Sequence, residues 1–478
     1  MSRSRRLSWS VPMAIVAVVT IAGTAWAAVT FAYFPPSHGV IKPWTWSNGD
    51  PSIGGGSNGN LSAIVVSDTQ GTACFSSAHS GPQLQVFYSK VASGGTAWSP
   101  LKNLSGNTSS ADRGVLVTQG SNVYTAWSTQ QQYYSACPTS GSYNFDVSQP
   151  RINFFRRSTD NGTTWGAPIK LPGQSATFRG DYMYMAASGT NVYITTTDVA
   201  TGKILLWIST NSGSSFANPI NVGTAKTTNV DNTPGQTSGN CPCGYTGGFT
   251  GLPAIATDGT AIGIAYTATS AGAEKILICN TSGTGCTSTQ VASSGAADNY
   301  GYSQAAGDSS RMVFTWTTGG GAFSDVWSGG TSGSFGGVKT ITTFPDTNFT
   351  GTACGTGTAG TSANCAQAGT GAIPVLIGTT GVGVSLTECN TVGGVACDES
   401  QSLQKSREIL VWYESSNNGT SYGTHALIKA PTGTSKNPSW MSEYGSVTNV
   451  NGTIYVLWNG HDDVYGSYDV EVKKCTGC

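Results

Sequence analysis

The feature that most constrains this chain is a repeat. Seven times between residues 63 and 460, two short apolar runs are joined by a polar turn. They read AIVVSDTQGTACFSS, GVLVTQGSNVYTAWS, MYMAASGTNVYITTT, AIATDGTAIGIAYTA, QAAGDSSRMVFTWTT, PVLIGTTGVGVSLTE and SVTNVNGTIYVLWNG. Most pairs are followed by a third run, a tight turn and a fourth run, as in RINFFRRSTDNGTTWGAPIKL, KILLWISTNSGSSFANPINV and REILVWYESSNNGTSYGTHALI. Runs this short, rich in β-branched and aromatic residues and bounded by Gly, Asn, Asp and Ser, read as strands. A lone four-stranded unit cannot bury both of its faces, so the units must pack around an axis. The repeat predicts an all-β fold, a β-propeller of seven four-stranded blades, with six as the alternative because the first pair is weakly patterned. The last unit supplies only three strands, ending at YDVEVKKC. A fourth from the N-terminal segment near Gly39–Trp46 would close the ring.

Composition agrees. Only 10% of residues are charged, against about 25% in an ordinary soluble domain. With 38% hydrophobic residues and many aromatics, the chain is not a disordered one. No segment after residue 34 sustains a 3.6-residue period.

The N-terminus combines Arg3, Arg5 and Arg6 with an apolar stretch and the small-x-small site Ala25-Trp26-Ala27. Residues 1–27 read as a secretory signal peptide. The alternative is an uncleaved membrane anchor, since the uncharged run from Leu7 to Ser37 is long enough to span a bilayer. Either way the body is expected to be secreted or at the cell surface, with membrane contact only if the segment is retained. Cleavage removes three arginines and no acid, so the net charge moves from −1 to −4. No basic footprint for nucleic acid remains. Residues 28–57 form an N-terminal segment that can hold the ring-closing strand, and residues 58–478 form the propeller.

Twelve cysteines in an exported chain read as disulfides. Local spacing pairs Cys279 with Cys286, Cys354 with Cys365 and Cys389 with Cys397. Cys74, Cys137, Cys241, Cys243, Cys475 and Cys478 cannot be paired from spacing. A zinc site joining Cys241 and Cys243 to Cys475 and Cys478 is the minor alternative.

The turns between third and fourth strands share a pattern. Ser158-Thr-Asp160-Asn-Gly162-Thr-Thr-Trp165 is the clearest copy. Ser209 to Phe216, with Asn211 and Gly213, and Ser415 to Tyr422, with Asn417 and Gly419, are weaker ones. A short Asp or Asn side chain accepts bonds from backbone N–H groups two or three residues on, Gly supplies positive φ, and the aromatic ring packs between sheets. Asn replaces Asp twice, a swap that a catalytic carboxylate would not survive, so Asp160 is expected to hold a turn. At the same place in the fourth unit, ICNTSGTGC, the Cys279–Cys286 bridge stands in for the motif as a cross-strand staple.

This S-x-D-x-G-x-x-W pattern resembles the Asp-box, or BNR repeat, of sialidases and their relatives. The resemblance implies a propeller whose boxes lie on the outer edge, away from the active site.

Propeller geometry puts the turns joining strands one to two and three to four on one face. The loops joining strands two to three, and blade to blade, lie on the other. The long insertions 130–150, 224–250, 344–370 and 389–406 all fall on that second face, where binding or catalysis is usually placed. Residues leading into the innermost strands ring the channel there. They include Asp112-Arg113-Gly114, Phe178-Arg179-Gly180-Asp181-Tyr182, Asp298-Asn299-Tyr300 and Ser442-Glu443-Tyr444. Two guanidiniums can fork onto a carboxylate, and aromatic rings stack on sugars. The same residues can instead pair with one another and plug the channel.

Sialidases clamp a substrate carboxylate with three arginines, attack with a tyrosine activated by a glutamate, and use an aspartate as acid/base. The resemblance carries substrate binding to Arg113 and Arg179, joined by Tyr300 and Asp298. It carries the catalytic roles to Tyr444, Glu443 and Asp181, with Tyr300 an equal candidate for the nucleophile. No R-I-P segment of the kind that holds the family's first arginine is present. Arg151, Arg156 and Arg157 read as outer-strand residues. Glu443 and Tyr444 are adjacent, and adjacent strand residues point to opposite sides. No cofactor is expected. His461-Asp462-Asp463 could take a structural Ca²⁺ through oxygens, though it reads first as a solvated acidic turn. The expected function is glycan recognition on the long-loop face, extending to hydrolysis of terminal acidic sugars. The alternative is a non-catalytic cell-surface, adhesion or structural module.

Overall fold

A computed structural model describes residues 29–34, 51–56, 58–68, 84–106, 110–130, 151–198, 200–225, 252–268, 273–291, 303–318, 321–343, 372–391, 406–429, 441–462 and 467–478, with some strand-end side chains excepted. They form seven antiparallel sheets of the predicted kind. The innermost strands are Ser52–Gly55, Ser110–Gln119, Gly180–Ser188, Ala254–Thr257, Gln304–Gly307, Ile373–Ile377 and Met441–Val450, for blades one to seven. Each touches the next, and that of blade seven touches that of blade one, so the ring is closed. Among the described residues the only helix is a single 3₁₀ turn, Gly330–Ser332.

Burial explains why the second strands were so apolar. Asn191–Asp198 of blade three is buried at every residue but its first, and Ala261–Thr267 of blade four at every residue. Such strands lie mid-blade and are covered on both faces by neighbouring blades. The sixth residue of the second strand is a fully buried tryptophan in blades two, five and seven: Trp127, Trp316 and Trp458. In blades two and five it stacks on its cross-strand partner, Phe154 or Phe323, with ring centroids 6.2 Å apart. The outermost strands are short and carry lysines in four blades: Lys102, Lys170, Lys339 and Lys429. Charge on an open edge discourages pairing with a second chain.

Two expectations about the ends need correction. The ring-closing strand is Thr30–Tyr33, not the Gly39–Trp46 segment, which lies outside the described residues. It pairs antiparallel with the end of Ser467–Thr476, Phe31 opposite Cys475, and Phe31 packs edge-on against Trp412 of blade six at 5.6 Å. Blade one also begins earlier than the repeat suggested. Its innermost strand is Ser52–Gly55, inside the segment assigned to the N-terminus, and Leu61–Asp68 is its second strand. Close packing around the axis demands glycine there. A β-carbon on Gly55 would lie 2.1 Å from Val450, and one on Gly54 2.7 Å from Leu116.

Cys279 and Cys286 are bonded across the blade-four hairpin, with Cα atoms 4.0 Å apart. Cys475 and Cys478 are also bonded to each other, which spacing had left open and which removes them from a zinc site. Cys354, Cys365 and Cys397, and the side chain of Cys389, lie outside the described residues.

Candidate functional site

The seven innermost strands wall a central cavity of about 800 Å³. Its described wall is uncharged and mixed, with Met185, Val375, Thr118, Gln304 and Asn449 among the lining residues. The exception is Asp308, at the turn end, where it accepts bonds from Ser310 and Arg311 within its own turn.

At the end where the long insertions attach, three innermost strands lose register with their neighbours. In blade two, Arg113 and Gly114 stand opposite the single residue Trp127. In blade three, Asp181 and Tyr182 stand opposite Thr197. In blade seven, Ser442, Glu443 and Tyr444 stand opposite Asn459. The other four innermost strands start later and run without a break. Bulges of this kind re-aim side chains and gather at barrel rims and functional sites. They fall on the positions singled out in the sequence. The strict alternation that would separate Glu443 from Tyr444 does not hold through such an irregularity. The side chains of Asp112, Arg113, Asp181, Tyr182, Glu443 and Tyr444 lie outside the described residues, as do Asp298 and Tyr300 entirely.

Arg179 is described. It is half-buried just before the blade-three innermost strand, and its backbone N–H donates to Asp198 Oδ1 at 3.2 Å. Asp198 is otherwise engaged by the Ala200 N–H and the Thr201 hydroxyl. Among the described residues, the Arg179 guanidinium has no hydrogen-bond or ion-pair partner. Arg151 stands beside it, which the sequence reading missed. The two residues form a parallel bridge, and the Arg151 N–H donates to the Phe178 carbonyl at 3.1 Å. Arg151 is only 6% exposed. It opens a third strand, but the start of a third strand lies on the same face as the start of an innermost one. Strand direction alone was the signal that could have found it.

The box turns sit at the opposite end of the blades. Asp160 Oδ1 accepts the N–H groups of Thr163 and Thr164 at 3.1 and 2.8 Å and the Ser158 hydroxyl at 2.7 Å, while Oδ2 takes the Thr164 hydroxyl at 2.6 Å. Asn211 and Asn417 accept from Ser215 and Ser421 in the same way, each at 3.0 Å. The residue after each, Asn161, Ser212 or Asn418, holds φ near +55° and donates its N–H to the neighbouring turn of the same blade. Trp165 packs edge-on against Tyr88, Phe216 edge-on against Phe155, and the Tyr422 hydroxyl donates to Ser324, in each case in the preceding blade. The eight-residue third strand of blade two puts the Asp160 turn about 25 Å from the bulged rim.

Among the described residues no three His, Cys, Asp or Glu groups gather as a metal site. The side chains of His461 and Asp462, and all of Asp463, lie outside them. No described helix is long and apolar enough to cross a membrane; residues 1–28 are not described.

No protein-family model matches the chain, and no curated protein does. Similar solved structures include a Hadza microbial sialidase, at 9% identity and TM-score 0.45, covering 90% of this chain and 66% of that one. Trypanosoma rangeli sialidase in complex with sialic acid has 11% identity and TM-score 0.45, covering 93% and 56%. A Dyadobacter fermentans protein of unknown function has 11% identity and TM-score 0.46, covering 94% and 99%. The chain thus spans between about half and two-thirds of the length of those two sialidases. Likeness at this level carries no argument about activity, and the blade count rests on the seven sheets themselves.

Proposed function

We propose that this chain is an extracytoplasmic glycan-recognition propeller that binds acidic sugars at the channel mouth on its long-loop face. The observation that carries this reading is the coincidence of three register breaks with Arg113, Asp181 and Glu443–Tyr444, around a mouth where Arg179 holds a guanidinium with no described partner. A cation in a partly dry setting, with no acid partner among the described residues, suits a ligand carboxylate. Arg151 beside it adds a second positive group to the same patch. The two disulfides among the described residues support an oxidising compartment.

Hydrolysis of terminal acidic sugars is the finer reading. The broken alternation at Ser442–Tyr444 favours it, because it lifts the geometric objection to Glu443 acting on Tyr444. The test is turnover of a fluorogenic sialoside by the secreted protein, alongside glycan-array binding, for the wild type and an Arg113→Ala/Arg179→Ala variant. Turnover and binding that both vanish in the variant support an exo-glycosidase. Binding without turnover leaves a recognition module. Neither activity in the wild type retires the glycan reading in favour of a structural propeller.

A further inference from the structure

Two pairs of adjacent blades are tied at the mouth end by the same kind of bond. The fifth residue of the second strand in blade three, Thr195, donates its hydroxyl to the carbonyl of Pro253, just ahead of the blade-four innermost strand, at 2.6 Å. Its counterpart in blade five, Thr315, donates to Ala372, just ahead of blade six. Blade four has Ala265 at that position and cannot make the bond. It is tied to blade five by an acid instead. Ser303, the residue just ahead of the blade-five innermost strand, donates its hydroxyl to Glu274 Oε1, and Thr267 donates to Oε2 at 3.3 Å. Glu274 is 4% exposed and Ser303 fully buried.

The tie continues to the channel wall. Gln304 follows Ser303 and reaches past blade four to donate from Nε2 to the Tyr184 hydroxyl of blade three, at 3.4 Å. Both residues line the central cavity. Near the carboxyl, Tyr266 of the adjacent strand is the titratable group coupled to it. Lys275 follows on the same strand and alternates to its other face. Ile276 and Ile278 continue the Glu274 face and pack on Met312 and Phe314 of blade five. No cation among the described residues meets the carboxyl. Burial pushes it up to about 7, with the Ser303 and Thr267 hydroxyls pulling the other way.

We propose that Glu274 is a proton-operated positioning residue for the channel mouth, setting through Ser303 the place of Gln304 and Tyr184. Protonated, it is a neutral group that accepts the Ser303 hydroxyl at no cost of buried charge. Ionised, it is a buried anion held by two hydroxyls and must draw in water or move. The mouth is tight in acid and loosens above neutrality. Its value to ligand binding rests on the glycan reading, but the movement itself does not.

The test is amide hydrogen exchange of residues 303–307 in the full chain at about pH 5 and about pH 8.5, corrected for intrinsic rate. The expected result is protection about tenfold weaker at the higher pH in the wild type, the size of one pK unit of coupling, and equal protection at both in Glu274→Gln. Equal protection in the wild type, or an unchanged pH dependence in Glu274→Gln, overturns the proposal. Ser303→Ala provides a check if Glu274→Gln does not fold. Loss of the donor must move the midpoint upward, and an unmoved midpoint overturns the proposal too. No glycan enters the measurement, so its failure leaves the glycan reading standing.

Discussion

Gly162 of blade two sits so close to Tyr88 of blade one that a β-carbon on it would lie 1.8 Å from the phenol oxygen. Its φ of +74° is also one that L side chains resist. Gly162→Ala is expected to cost about 3 kcal/mol, combining left-handed strain with overpacking. Gly189 holds φ +58° with open space around it, so Gly189→Ala should cost only about 1 kcal/mol. Urea midpoints of the two variants measure the difference. Equal losses would mean that the Tyr88 contact contributes nothing.

Asp160 separates turn chemistry from catalysis. The Thr164 hydroxyl and N–H, with help from Ser158 and Thr163, hold its carboxyl well below the usual carboxylate range. A depressed acid stabilises the fold above its unfolded value, near 3.9, and that contribution is lost as pH falls further. Asp160→Asn should change neutral stability by less than about 0.5 kcal/mol. The Asn211 and Asn417 amides already show how, each donating to a serine hydroxyl at 2.9 Å. Asp160→Ala strips the turn of its acceptor and should cost about 1–2 kcal/mol. Neither change should alter glycan binding or turnover, some 25 Å away. Loss of either activity in a stable Asp160→Asn protein would contradict this.

Six of the seven strand pairs were legible because mid-blade strands are buried on both sides and must be apolar. The first was misread because Gly54 and Gly55 replace apolar residues where blades crowd the axis. The closing strand Thr30–Tyr33 is a short edge whose side chains are half-exposed or exposed, so it carries no core pattern. At the rim, residue types were readable but the register breaks were not. A bulge depends on pairing with a strand that the sequence does not align. Glu274 was missed for a related reason. Its role comes from the contact of a third-strand residue with Ser303, just ahead of the next blade's innermost strand, and the sequence does not align those two positions.

Closure of the ring by Thr30–Tyr33 can be tested through Phe31. Its ring packs edge-on against Trp412, in the cluster that also holds Cys475. Phe31→Ala should cost about 2 kcal/mol, less than a fully buried phenylalanine because the residue is only half-buried. Hydrogen exchange should rise first along 473–476, the stretch paired with it. Exchange rising instead across blades one and two would place the closure elsewhere.

The stability of this protein should form a dome against pH, with its two arms carried by opposite acids. On the acid arm Asp160 loses its contribution as described. On the other arm the sign reverses, because the folded carboxyl of Glu274 is raised to about 7 from an ordinary value of 4.5. Between those values the folded protein holds a proton that the unfolded chain has released, so stability is full below the unfolded value and falls as pH rises toward 7. The full loss is at most about 3 kcal/mol. Asp325, raised to about 6 by burial, adds to the same arm. Melting temperatures of the wild type, Asp160→Asn and Glu274→Gln across the pH range resolve the two. Asp160→Asn should flatten the acid arm alone. Glu274→Gln should flatten most of the neutral arm, since a neutral amide keeps an acceptor for Ser303 without a charge to bury. A neutral arm unchanged in Glu274→Gln would assign the loss to the other acids raised by burial, Asp325 and Glu414, and leave the blade-four tie indifferent to protonation.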